Sequence, residues 1–227
     1  MEQLMEEWWT YTISDFLLFS PRTYYRMIGL YNRALWPAQI AAFGLGLFLL
    51  FLSSRDGEKE SRVLLLALAF LWTWVAYAFH LQRYAAINWA APYAAAAFAL
   101  EAFLLLVAAL APSVKFHRPK ALAQWIGSGL FFFALLVYPF LARLAGRDWT
   151  EGEMFGLTPD PTALGALGLL LMSRGPLRVP LTIIPFLWCI AASLTLLAMK
   201  APEAWVLSIA AALALLAAFR SALRPNS

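Results

Sequence analysis

No Asp, Glu, Lys or Arg stands between Arg33 and Arg55, or between Arg62 and Arg83. Each stretch is long enough as a helix, at about 1.5 Å per residue, to cross the roughly 30 Å of bilayer hydrocarbon. Apolar spans are predicted at 35–52, 63–79, 88–110, 121–141, 180–199 and 204–219. The last is short, but Arg220 follows it, and its aliphatic stem can reach an interface. Of the 227 residues only 13% are charged and 63% are hydrophobic. A soluble domain carries about a quarter charged residues, so the composition excludes a soluble enzyme, a secreted disulfide scaffold and a disordered tail. The fold expected is all-α: one membrane domain of six or seven transmembrane helices over 32–220, preceded by an interfacial segment over 1–31.

The seventh element decides between those two numbers. Residues 162–172 are apolar but span only about 16 Å as a helix, half a bilayer. Pro159 and Pro161 flank Asp160, a pattern that starts a helix rather than continues one, with Asp160 read as the N-cap. The element is a re-entrant half-helix, a crossing whose outer half is unwound, or an ordinary loop ending in a capped helix. The expectation carried forward is that Asp160 faces protein and that its helix starts at a polar pocket including Glu101 or His80. Seven crossings place the basic clusters at 55–62 and 115–120 together with the basic C-terminus, which the positive-inside rule assigns to the cytoplasm. Upstream, Ser20-Pro21 reads as a helix start. Trp8, Trp9, Tyr11, Tyr24, Tyr25 and Trp36 are the residue types that sit at headgroup level, so an outer-leaflet interfacial helix is expected there. The acidic start and short apolar stretch give no cleavable signal peptide.

Polar residues inside the spans are the candidate site. Glu101 lies deep in the third span, where an acid is costly and faces the bundle interior or water; it reads as a proton or cation site or as a structural, hydrogen-bonded acid. Ala90, Ala94 and Ala97 are placed on its face as a packing stripe. Thr73, Tyr77, His80 and Tyr84 read as one polar face, with His80 as a proton-handling group or a satisfied interfacial histidine. Asn32 and Gln39 are read onto one face with Trp36. The substrate- or ion-binding candidates are therefore Glu101, His80, Asp160, Tyr77 and Gln39. The single cysteine, Cys189, allows no internal disulfide, and no cofactor or metal site is expected. No phosphate loop, zinc-protease motif or serine nucleophile motif occurs, so nothing argues for an enzyme and no catalytic residue is assigned.

The strings Tyr31-Asn32-Arg33-Ala34-Leu35-Trp36-Pro37-Ala38-Gln39, His80 with Ile87-Asn88-Trp89-Ala90-Ala91, and Phe155-Gly156-Leu157-Thr158-Pro159-Asp160-Pro161 before Gly168-Leu169-Leu170-Leu171 form a pattern. It resembles the bacterial domain-of-unknown-function family 6064, polytopic membrane proteins, over nearly the whole chain. Asp160 stands where the family pattern usually has Cys, and Glu101 where it has Gln, departures that put any shared thiol or metal chemistry in doubt. The resemblance implies a fold and a bacterial inner membrane, with no activity attached. Two functions stay open: a small-solute or ion permease, and a non-catalytic accessory or anchoring subunit. The partner expected is the lipid bilayer, with a homo-oligomer or a larger membrane complex as the association and no nucleic acid. A permease should have a hydrated cavity at these polar groups; a subunit should have a dry interior.

Overall fold

The computed structural model describes Leu17, 19–111 and 114–223. Trp8, Trp9 and Tyr11 of the expected interfacial segment lie outside the described residues. Helix α1 (Pro21–Leu35) starts where the sequence places it, with the Ser20 hydroxyl accepting from the Thr23 amide at 3.1 Å. It turns by 89° into α2 (Ala38–Ser53). The continuous span expected over 35–52 is therefore broken: Pro37 supplies no amide proton, and the residue before a proline is pushed out of the helical region. Trp36 is consequently exposed while Asn32 is buried, so they do not share a face.

Next come α3 (Glu58–Trp74), which widens into a π-helical turn over Val75–Leu81, and α4 (Ala91–Leu110). α5 (Leu122–Phe132) continues through a second π turn, Phe133–Val137, and a 3-10 turn into α6 (Leu141–Leu144). α7 (Pro159–Leu171), α8 (Arg178–Ala198) and α9 (Ala204–Leu223) complete the bundle. Among the described residues four helices are long and apolar enough to cross a membrane, and five segments are if the bent pair α1–α2 counts as one. Outward-facing Phe43, Phe48, Phe70, Phe103, Phe132 and Ile183 give the bundle an apolar exterior.

α7 sits at the centre. All thirteen of its residues are buried, against α5, α8 and α9. Close approach to α5 depends on glycine. A Cβ at Gly168 would lie 2.6 Å from the Gly127 carbonyl oxygen, and one at Gly127 would overlap the Gly168 carbonyl. The irregular segment leading into α7 is mostly buried too, and hydroxyls within it and at the start of α7 satisfy some of its amides. The Thr158 hydroxyl accepts from the Met154 amide at 2.9 Å, and the Thr162 hydroxyl accepts from the Gly156 amide at 2.8 Å. Thr158, not Asp160, is the residue before the first turn; the helix begins at Pro159 and places Asp160 second.

Contacts between loops define two ends. Short strands β1 (Lys115–Phe116) and β2 (Ser173–Arg174) pair antiparallel. The Ser61 hydroxyl accepts from the Phe116 amide at 3.0 Å, and Arg118 Nε donates to the Ser54 carbonyl at 2.7 Å. Asp56 joins them: the Arg118 amide and the His117 ring hold its carboxyl below the usual aspartate range. Turns 54–61, 114–118 and 172–174 thus share one end, the strand end. At the other, Tyr31 donates to the Leu157 carbonyl at 3.0 Å, and Asn32 to those of Thr150 and Gly152 at 2.7 and 2.8 Å.

A candidate acidic cavity at the start of α7

A cavity of about 170 Å³ lies at this second end, opening between α4 and α8, where Ala191 is exposed. Asp160 forms part of its wall, with Tyr24, Phe79, Tyr84, Asn88 and Trp188. Asp160 is only 2% exposed, so its carboxylate needs donors. Trp188 Nε1 supplies one to Oδ1 at 2.9 Å, and the Tyr138 hydroxyl makes a long contact of 3.5 Å to Oδ2. A carboxylate has about four lone-pair sites, so these leave acceptor capacity on a side chain that lines the cavity. Asp160 does face protein, as its sequence context indicates.

Behind that wall stands a second group of charges that the residue pattern did not single out. Arg147, just past α6, forms an ion pair with Glu203, which precedes α9; their side chains are 16% and 8% exposed. The Arg147 guanidinium lies 3.7 Å over the Tyr25 ring, and the Tyr25 hydroxyl donates to the same Glu203 oxygen at 3.2 Å. Glu153, 7% exposed, feels Asp160, Arg147 and Glu203, and its Oε2 has no hydrogen-bond partner among the described residues. Glu203 is thus the carboxyl that pairs with the Arg147 guanidinium.

The candidates read from sequence are not all brought together. His80 is fully buried among the rings of Phe98 (4.6 Å between centroids), Trp188 (5.0 Å) and Phe79 (5.5 Å). It backs Trp188, and neither ring nitrogen has a hydrogen-bond partner among the described residues. Glu101 is equally buried, one turn beyond Phe98, and both its oxygens lack such a partner. Neither lines the cavity. The expected pocket at the start of α7 that includes Glu101 or His80 is therefore not formed; the cavity beside Asp160 is walled mainly by aromatic and small apolar side chains.

Tyr77 is 58% exposed and points out of the bundle, as does Thr73. The π turn at Val75–Leu81 explains it: added residues per turn rotate His80 and Tyr84 inward, so the four do not form one face. Gln39 Nε2 donates to the Asn32 carbonyl at 2.6 Å and braces the α1–α2 bend. On α4 the buried stripe is Ala91, Ala95, Phe98 and Ala102, whereas Ala90 and Ala94 border the cavity.

The architecture is that of an all-helical bundle with apolar helices of membrane-crossing length and a buried acidic group at one end. The chain belongs to the Family of unknown function (DUF6064), which it matches over residues 22–227. Comparisons with curated proteins and with solved structures give no match.

Proposed function

We propose that the chain is a seven-crossing protein of a bacterial cytoplasmic membrane, and a small-solute or ion permease whose binding site is the cavity at Asp160. The observation that carries the permease reading is an open cavity, walled by a buried carboxylate, in a bundle with an apolar exterior. Irregular backbone at such a position is stable only where protein buries it or a cavity adjoins it, which fits 152–158.

Seven crossings are supported by the loop contacts. β1 and β2 tie the start of α5 to the end of α7, which supports a return of 145–171 from one end of the bundle to the other. α7 covers about 20 Å of that return and the buried segment before it the remainder. Arg55, Arg62, Lys115, Arg118, Lys120 and Arg174 belong to the segments at the strand end, which supports a cytoplasmic placement of that end under the positive-inside rule. Trp36, Trp89, Trp149 and Trp205 are all exposed near the opposite end, as an interfacial aromatic belt requires.

Thiol chemistry tests the permease reading against an accessory subunit with a dry interior. In a Cys189→Ala background, Thr195→Cys on the cavity wall should react with a small water-soluble methanethiosulfonate in native membranes. Leu105→Cys, fully buried on α4, serves as the unreactive control. Thr195→Cys as inert as Leu105→Cys would contradict a hydrated site.

A further inference from the structure

The cavity wall carries more information than its acid. Tyr24, Phe79, Tyr84 and Trp188 supply four aromatic rings to a space of about 170 Å³. Three of them touch one another: Tyr24–Tyr84 and Phe79–Tyr84 both lie at 5.9 Å between centroids. The remaining wall is mainly small or apolar, including Ala90, Ala94 and Ala192. No Lys, Arg or His lines it among the described residues. The one guanidinium nearby, Arg147, is committed to Glu203 and the Tyr25 ring. Asp160 is thus met by two neutral donors and no cation, while Glu203 adds to the negative field around it.

A carboxylate facing several aromatic rings in a small space suits one ligand class. An organic ammonium presents a diffuse positive charge on an apolar body. Ring faces attract such a charge within about 6 Å, and a carboxylate compensates it. A hard metal ion favours several carboxylates, whereas Asp160 is the one carboxylate in this wall, and no group of three or more His, Cys, Asp or Glu side chains suited to a metal is found among the described residues. An anion would meet repulsion from Asp160.

We infer that the cavity binds a small organic ammonium ion, its charge held by the Asp160 carboxylate and its alkyl groups by Tyr24, Phe79, Tyr84 and Trp188. This deepens the permease reading by naming its substrate class, but binding does not require that transport follow.

The test is calorimetric titration of the purified full chain in mild detergent with choline, tetramethylammonium and 3,3-dimethylbutan-1-ol, the uncharged isostere of choline. The two cations should bind saturably and the isostere at least about tenfold more weakly. Asp160→Asn keeps an acceptor for Trp188 and removes the charge; choline affinity should fall at least about tenfold. Tyr84→Phe retains the ring and should retain binding, whereas Tyr84→Leu should lose several-fold, with the melting temperature of each variant reported alongside. Equal binding of choline and its isostere, undiminished binding by Asp160→Asn, or no saturable binding of either cation would overturn the inference. Choline flux into proteoliposomes separates the two readings. Binding without flux removes the permease and leaves the ammonium site standing. A reactive Thr195→Cys without ammonium binding does the reverse.

Discussion

Valine at position 168 should prevent the bundle from assembling. A Cβ there would stand 2.6 Å from the Gly127 carbonyl oxygen and 2.8 Å from the Phe131 amide nitrogen. Both are backbone atoms of α5, so relief requires α5 and α7 to separate rather than a side chain to rotate. Overpacking a core costs about 1–3 kcal/mol when side chains can adjust, and more when the neighbour is main chain. In detergent, Gly168→Val should therefore melt far below wild type or fail to accumulate as a monodisperse species. Gly129, on the same α5 but with nothing within 4 Å of where its Cβ would stand, supplies the control. Gly129→Val should melt close to wild type, since a β-branched residue alters helix propensity only slightly relative to glycine. Equal melting of the two variants would mean that α5 and α7 do not approach as closely as the structure has them.

Arg147→Met should be the second large loss. The guanidinium and the Glu203 carboxylate are both largely withdrawn from solvent, at 16% and 8% exposure. Removing one member of such a pair leaves an uncompensated buried charge, at a cost of about 3–5 kcal/mol, while replacing both with apolar side chains is often neutral. Arg147→Met should thus lower stability by roughly that amount, and Arg147→Met with Glu203→Met should recover most of it. Chemical unfolding in mixed micelles, followed by tryptophan fluorescence, provides the double-mutant cycle. Additive losses in the double variant would show that the two side chains do not act as a pair. The Tyr25 ring beneath Arg147 makes a further point testable: Tyr25→Leu should weaken the same cluster by less, because the ion pair survives it.

How far the sequence reached follows from which features are local. Apolar stretches, the Ser20-Pro21 start and the half-length element after Pro161 are written in adjacent residues, so their helices fall close to where they are expected. The bend at Trp36-Pro37 was missed, because apolarity alone carries a span straight through it, although Pro37 marks the break inside the apolar run. Side-chain facing in the second span was not legible, since a π turn changes the residues per turn without any marker in Val75–Leu81. The charged group behind the cavity was the hardest part to see. Tyr25, Arg147, Glu153 and Glu203 come from four segments, and each on its own reads as an ordinary loop or interfacial residue. A signal existed in the pattern as a whole: all four fall at the same end of the bundle once the crossings are counted. Glu101 and His80 were conspicuous for the opposite reason, as isolated polar groups in apolar helices, yet both pack outside the cavity wall.

Whether 145–171 crosses the bundle once is tested most directly by labelling from outside the cell. Single cysteines in a Cys189→Ala background would be placed at Lys59, Lys120 and Arg174 on the strand end, and at Ala86, Asp148 and Pro202 on the cavity end. An impermeant maleimide should label all three cavity-end cysteines in intact cells. The three strand-end cysteines should react only after the cells are permeabilised. Cysteines at Asp148 and Arg174 labelled from the same side would contradict a seven-crossing bundle, because 145–171 would then turn back within the membrane instead of crossing it.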